Sequence, residues 1–290
     1  MKGVTVIGDA LLDIVATPAR PVRPGGDVPG EIRIGAGGQG ANLATRLARQ
    51  GMEAELVCGL GDDPAGDILR RSLEAEGVRL RAVAVAATGS VVIVLDETGE
   101  RTMLSHRAAF ASAVDAPTAR DADWVVVSGY VLHEASGVDL ARSLAVGHGH
   151  RVLVGCALAG DAAAWLRAAT ALAPGLTVLN RDEAAAIGAS HSLGGGGLVV
   201  TDASGAAATI GRVSAEIRVP AGEPAVDTTG AGDAFAAGLI ASLAHGAWPP
   251  TAGSLERGLA AATELASAVA RTPGAQGRVA IETLAPPSHA

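Results

Sequence analysis

Aromatic residues make up only 2% of this 290-residue chain: three Trp, two Phe and one Tyr. A core of this size cannot be organised around stacked rings, so it has to be built from Ala, Val and Leu. Basic charge is also scarce. The 22 Lys and Arg stand against 30 Asp and Glu, a formal net charge of -8, which argues against a surface designed for nucleic acid and leaves room only for a local basic site. Cysteine is nearly absent, and Cys58 and Cys156 each lie in an apolar run, where they read as buried reduced thiols rather than a disulfide or metal pair. No apolar run reaches the ~18 residues of a membrane span. Residues 4–7 meet Asp9 at once, as a first strand does and a secretion signal does not. The expectation is a soluble cytoplasmic protein without internal repeats, long enough for one large α/β domain with a small accessory layer.

What is present is a rhythm. Val4 to Ile7 reads as a buried strand, and Ala41 to Gln50 as a helix closed by Gly51. Strand and helix patterns then alternate through Glu55–Cys58, Ala65–Glu76, Trp124–Ser128, Ala135–Val146, Arg151–Val154, Ala162–Ala171, Thr177–Leu179, Arg181–Ile187 and Leu198–Thr201. Such alternation predicts a parallel sheet covered by helices. Two regions break it: Ile14 to Ile34, rich in proline and glycine, and Thr88 to His106, strand-like around the turn Asp96-Glu97-Thr98-Gly99. The Gly194–Gly197 run reads as a flexible connection.

The segment Val226-Asp227-Thr228-Thr229-Gly230-Ala231-Gly232-Asp233-Ala234-Phe235 carries the most chemistry. Small residues at 230, 231 and 232 let backbone approach a ligand, and the Ala/Leu-rich run from Ala234 to Ala244 places those amides at a helix N-terminus, which attracts anions. Asp233 in the first turn either complements the helix dipole or takes a proton from an attacking hydroxyl. A second glycine run, Gly35-Ala36-Gly37-Gly38-Gln39-Gly40, matches the dinucleotide pattern G-x-G-x-x-G, with Asp62 downstream where a ribose-binding acid is sought. That pattern belongs directly after the first strand, and here it comes well beyond Gly8-Asp9, so the dehydrogenase it would signal is the disfavoured rival.

Asp227 to Asp233 resembles the C-terminal signature of the ribokinase-like (PfkB) carbohydrate kinases, and Gly37-Gly38-Gln39-Gly40-Ala41-Asn42-Leu43-Ala44, with Gly51 and Gly59, resembles their N-terminal one. The likeness continues at Gly8 and Asp13, Gly61-Asp62-Asp63 with Gly66, Asn180 with Glu183, and Ala270-Arg271 with Gly274-Ala275-Gln276. It implies a three-layer α/β/α domain with a mainly parallel sheet (1–13, 35–87 and 107–290) and a small β-sheet lid (14–34 and 88–106). It also implies transfer of the ATP γ-phosphoryl group to a hydroxyl of a sugar or nucleoside. In that reading Asp233 is the base, and the amides of Gly230, Ala231 and Gly232 stabilise the moving phosphoryl group. Asp13, Gly38 and Asn42 hold substrate hydroxyls, with Asp9 as a helper and Arg107, beside Arg101 and His106, meeting an acidic group or closing over phosphate. The alternative for these three is a solvated strand face. Asn180 and Glu183 organise Mg2+ through water, unless Glu183 is only a solvated acid in a helix first turn. Thr201 and Gly205 lie on the nucleotide loop, and adenine is expected between that loop and a helix from Leu259 to Ala270. Carbonyls around Asp227 and Thr229, near Arg271 and Gly274, are the candidate site for a monovalent cation such as K+. His133, His148, His150 and His191 lack ligand spacing and read as structural.

Two departures stand out. Thr201-Asp202-Ala203-Ser204-Gly205-Ala206 replaces the T-x-G-x-x-G of many relatives, and Gly155-Cys156-Ala157-Leu158-Ala159 stands where many have Asp or Asn followed by Pro and later Arg. They keep open a non-catalytic sugar- or nucleotide-binding protein with the kinase fold. The substrate alternatives are ribose or another simple sugar, 2-keto-3-deoxygluconate, favoured by Arg101 and Arg107, and pseudouridine or another nucleoside. Gln39, where lysine is frequent, disfavours a charged contact to a phosphorylated sugar. Lid strands that expose a second face imply a homodimer.

Overall fold

The computed structural model describes residues 2–97, 100–108, 123–145, 150–158, 161–189, 193–219 and 228–271. Thirteen strands and seven α-helices are placed among them. The strands are β1 (Gly3–Ile7), β2 (Leu11–Pro18), β3 (Gly30–Gly37), β4 (Glu53–Leu60), β5 (Arg79–Ala84), β6 (Ser90–Leu95), β7 (Arg101–His106), β8 (Trp124–Ser128), β9 (His150–Val154), β10 (Leu176–Asn180), β11 (Gly197–Asp202), β12 (Gly205–Ile210) and β13 (Val213–Arg218). The helices are α1 (Gln39–Arg49), α2 (Pro64–Ala75), α3 (Ala135–Ala145), α4 (Ala162–Leu172), α5 (Arg181–Ala186), α6 (Ala231–Ala244) and α7 (Ala252–Ala270).

Nine strands form one sheet in the order β13-β12-β11-β10-β9-β8-β1-β4-β5. The pairs from β11 through β5 are parallel, whereas β12 and β13 run antiparallel at one edge. Alternation along each strand feeds two separate cores. Val4 and Val6 of β1, Val126 of β8 and Val152 of β9 point to the side of α1, α2, α6 and α7. Ile7, Val125, Val127 and Leu153 point to the side of α3, α4 and α5. These are the three layers expected, and burial on both faces explains why the strands read as continuous apolar runs. No described helix is long and apolar enough to cross a membrane.

A second sheet, β3-β2-β6-β7, contains both segments that interrupt the alternation. Its hairpin register runs from Leu11↔Gly37 to Pro18↔Gly30. The small sheet thus takes in Leu11–Asp13 and Gly35–Gly37, which the sequence reading gave to the larger unit. The continuous ladder of hydrogen bonds makes Asp13 a residue of the small sheet. Gly194–Gly197 also differs from the expected flexible connection. Leu193–Gly195 forms a 3-10 turn, and the Gly197 amide donates to the Gly175 carbonyl at 2.8 Å as β11 begins.

The chain reverses direction across the large sheet at β1, which pairs with β4 on one side and β8 on the other. Ligands of open α/β sheets bind outside the strand ends at such a point. α1 starts there, two residues earlier than the periodicity suggested, because Gly40 lets its first turn cross the end of β1. A Cβ on Gly40 would lie 2.6 Å from the Gly8 carbonyl carbon, and one on Gly8 would lie 2.6 Å from the Gly40 Cα. Both obstacles are backbone and cannot rotate away. Gly40→Ala is therefore expected to destabilise the fold by about 1–3 kcal/mol, the usual range for overpacking. Urea unfolding checks this, with Gly51→Ala as the contrast for backbone strain alone, since a Cβ there meets nothing within 4 Å.

Candidate active site

Asp9 leaves the end of β1 and fastens the start of α1. Its Oδ1 accepts from the Gly40 amide at 3.2 Å and its carbonyl from the Ala41 amide at 3.0 Å. A carboxylate at a helix N-terminus is electrostatically favoured. Its other oxygen pairs with the Arg107 guanidinium, which lies 3.7 Å from the centre of the Tyr130 ring. Arg107 is thus committed to the site wall, not to a solvated strand face.

Gln39 ties strand ends together. Its Nε2 donates to the Gly155 carbonyl at 2.7 Å, and its Oε1 accepts from Ser128 Oγ at 2.6 Å. This network was not legible in the sequence, where Gln39 was weighed only against a substrate contact. One helical step on, Asn42 Nδ2 donates to Asp233 Oδ2 at 2.8 Å, joining residues of the two motifs. The other amide atom, Asn42 Oδ1, is buried without a hydrogen-bond partner among the described residues, as is Asp13 Oδ1. Asp13 packs against Gly37, where a Cβ would collide with its carboxylate.

Asp233 occupies the third position of α6, after Gly230, the N-cap, in the left-handed region at φ 73°. Ala231 N–H already donates to the Thr228 carbonyl at 3.2 Å. Of the three amides expected to meet an anion, this one is therefore engaged in the turn. Burial pushes the Asp233 carboxyl up to about 6; the Asn42 bond, Arg46 and Gln39 oppose this, and Asp9 adds to it. Asp13 is pushed up to about 7, by burial first and then by Asp9 and Asp233, against the pull of Arg107. Arg46, only 4% exposed on α1 one turn beyond Asn42, supplies buried positive charge beneath this cluster. Its signal was available, since an arginine stands four residues after Asn42, next to Leu47 and Leu43 on a helix read as packed against the sheet.

Asn180 and Glu183 form a capping box on α5. The Glu183 amide donates to Asn180 Oδ1 at 2.8 Å and the Asn180 amide to Glu183 Oε2 at 2.9 Å. Glu183 is also half-buried and pushed up to about 7, by burial first and, less strongly, by Asp233 and Asp182, against the Asn180 amide bond. Capping alone does not account for such a carboxyl. A Cβ at position 155 would strike its Oε2, so the glycine there leaves the space that Glu183 fills.

Other expected residues lie elsewhere or serve the scaffold. Thr201 Oγ1 sits 3.4 Å from the Leu179 carbonyl. Gly205 pairs with Asp202 across the tight β11–β12 turn, and a Cβ there would run into the Ile217 carbonyl of β13. The glycine at 205 is thus demanded by strand packing, which needs no phosphate. Arg101 reaches from β7 to the hydroxyls of Thr228 and Thr229. His133 Nε2 lies 3.4 Å from Cys156 Sγ, and His150 packs between Trp124 and Trp248. Cys58 and Cys156 are buried free thiols, each pushed up to about 12 mainly by burial. Asp227, Gly274, His148 and His191 lie outside the described residues.

Residues 1–282 match the family described as pfkB family carbohydrate kinase. The chain is 32% identical over 289 residues to a fructokinase of Klebsiella pneumoniae, covering 89% of each chain. It is 29% identical over 273 residues to an ATP-dependent ribose-1-phosphate kinase of Halopiger xanaduensis, covering 87% of this chain and 86% of that one. Among solved structures, a ribokinase from Thermotoga maritima superposes with a TM-score of 0.76 over 95% of both chains at 21% identity, a likeness of fold.

Proposed function

Because the chain belongs to the pfkB family of carbohydrate kinases, we propose that it moves the γ-phosphoryl group of ATP to a hydroxyl of a small sugar or nucleoside, with Asp233 as the base. The observation that carries this is the joining of Asn42 to Asp233 at 2.8 Å beside Asp13 Oδ1, a buried acceptor without a partner. A hydroxyl donating to Asp13 supplies that partner. Asp233 then accepts the proton of the attacking hydroxyl as its oxygen bonds to phosphorus and the bond to the ADP oxygen breaks. The amides of Gly230 and Gly232 face the charge that develops on the phosphoryl oxygens. Gly38 and Asn42 complete the hydroxyl pocket, and Arg107 on Tyr130 bounds it.

Glu183 is our candidate for organising magnesium, with Asn180 holding it in place. One half-buried carboxylate raised to about 7 suits an ion held mainly by nucleotide phosphates and water. When bound, that ion neutralises phosphate charge. The potassium reading rests on the motif around Asp227 and Thr229 alone. ATP use and two buried free thiols support a cytoplasmic setting.

The substrate class is tested by ADP release with Mg-ATP against ribose, fructose, ribose 1-phosphate, ketodeoxygluconate, adenosine and pseudouridine. Turnover of one compound establishes the reaction and its acceptor. Nucleotide binding without turnover, even on a widened panel, would turn the reading to a non-catalytic binding protein.

We further propose a homodimer through the outer face of the small sheet. Ile34, Ile14, Val92 and Leu104 stand in register across all four strands on the face opposite Asp13. Leu104 is 78% and Ile32 59% exposed. A single-layer sheet with such a face needs a cover, and a second copy supplies one. Leu104→Glu is expected to convert the dimer to monomer in sedimentation velocity at micromolar protein; a wild-type monomer at these concentrations would refute the assignment.

A further inference from the structure

Arg107 stands just past β7, beside Asp9 beyond the end of β1 and Tyr130 in the turn that follows β8. Its guanidinium pairs with Asp9 Oδ2 and lies 3.7 Å from the centre of the Tyr130 ring. Asp9 Oδ1 accepts from the Gly40 amide, so both oxygens are engaged within the protein. The Asp9 side chain is 13% exposed and that of Arg107 31%, and salt screens a partly buried pair little. Stacked on the ring and neutralised by Asp9, Arg107 offers N–H groups to the pocket but no net charge. The charges that act most on Asp13 are those of Asp9, Arg107 and Asp233. An anionic group entering beside Asp13 meets two further carboxylates and a guanidinium that is already answered. Asp13 itself registers this environment: burial first and then Asp9 push its carboxyl up to about 7, with Asp233 adding to this and Arg107 opposing it. What disfavours charge on Asp13 disfavours it equally on a ligand carboxylate or phosphate in the same place.

We propose that the acceptor is an uncharged polyhydroxyl compound, a neutral sugar or nucleoside, and that Asp9 enforces this choice by neutralising Arg107. This rests on the reading of the cleft as a kinase acceptor site and narrows it. Asp9 is a positioning residue that sets specificity through the arginine. A carboxylate or phosphate on the acceptor can take Arg107 only by displacing Asp9, which strands a largely buried carboxylate without its partner. A hydroxyl imposes no such exchange. It donates to Asp13 and accepts from a guanidinium N–H while Asp9 stays in place. Selection thus comes as much from repelling the acid as from holding the neutral compound.

Ribose, fructose, adenosine and pseudouridine serve as neutral probes, and ribose 1-phosphate and ketodeoxygluconate as acidic ones, in ADP release and in calorimetric binding to the full chain. The wild type is expected to favour its best neutral compound over either acid by at least about 10²-fold in kcat/KM, the scale of an unfavourable like-charge contact. Asp9→Asn and Asp9→Ser each keep an oxygen for the Gly40 amide while removing the charge, so one serves if the other does not fold. Each frees Arg107 and raises the acid-to-neutral ratio of kcat/KM by about 10–100-fold, as a hydrogen bond to a charged group does. A disturbed scaffold lowers both classes together and leaves the ratio unmoved. Adding Arg107→Gln to Asp9→Asn abolishes the gain. An unmoved ratio, a gain that survives Arg107→Gln, or a wild type that prefers an acid overturns the inference while the kinase reading stands. Selective binding of neutral compounds without turnover keeps the specificity and removes the kinase reading. A wild type that neither binds nor turns over any of these compounds removes both.

Discussion

Asp233→Asn lowers kcat by about 10²–10⁴-fold, the span of a positioned general base, and leaves ADP affinity within a factor of about three. The substitution is nearly isosteric, and the amide oxygen still accepts from Asn42 Nδ2, so the 2.8 Å link between α1 and α6 persists. What disappears is the capacity to take a proton. The pH dependence supplies a second signature. With its carboxyl pushed up to about 6, wild-type Asp233 is protonated and idle below that pH, and kcat/KM rises as pH increases through it. Asp13 and Glu183 titrate close by, both raised to about 7, so the measured profile belongs to the coupled cluster. The component that vanishes in Asp233→Asn belongs to Asp233. A variant that keeps more than about a tenth of the wild-type rate would remove Asp233 from the role of base.

Part of the site was visible in the sequence because backbone geometry admits only glycine at some of its positions. Gly230 must adopt φ 73° before the helix, and Gly40 must pass Gly8 at backbone contact. Requirements of this kind leave glycines at fixed places. The parallel sheet was legible for a similar reason, since strands buried on both faces have no polar period to obscure them. The antiparallel β12–β13 edge went unread, although Val213–Arg218 alternates apolar and polar residues as a half-buried strand does. Contacts made across the fold left least trace. Gln39 holding Ser128 and Gly155, and Arg101 reaching Thr228, join residues whose proximity exists only after folding. Gly205 shows the converse: it resembled part of a phosphate loop, yet its lack of a side chain answers to β13.

Asp13→Asn is expected to move activity and stability in opposite directions. Loss of the charged acceptor for substrate hydroxyls lowers kcat/KM by about 10–100-fold, as for a hydrogen bond to a charged group. The apo protein, however, gains stability at pH 8. Asp13 is raised from 3.8 to about 7 in the fold, so the native state resists its ionisation and the unfolded chain does not. Below the unfolded value both states hold the proton and Asp13 imposes no penalty. As pH rises from about 4 to about 7 the unfolded state ionises first, and stability is lost across that window. Above it the loss is complete. The full shift corresponds to about 4 kcal/mol at most, and coupling spreads part of it over Asp9 and Asp233, so Asn at this position should gain on the order of 1–3 kcal/mol at pH 8. Urea unfolding at pH 8 and pH 5 checks the sign: the advantage must shrink as pH falls. An advantage that is equal at both values would assign the effect to packing against Gly37. A variant less stable than wild type at pH 8 would mean that the Asp13 charge is already compensated in the apo fold, and that this site is not held in electrostatic tension for its substrate.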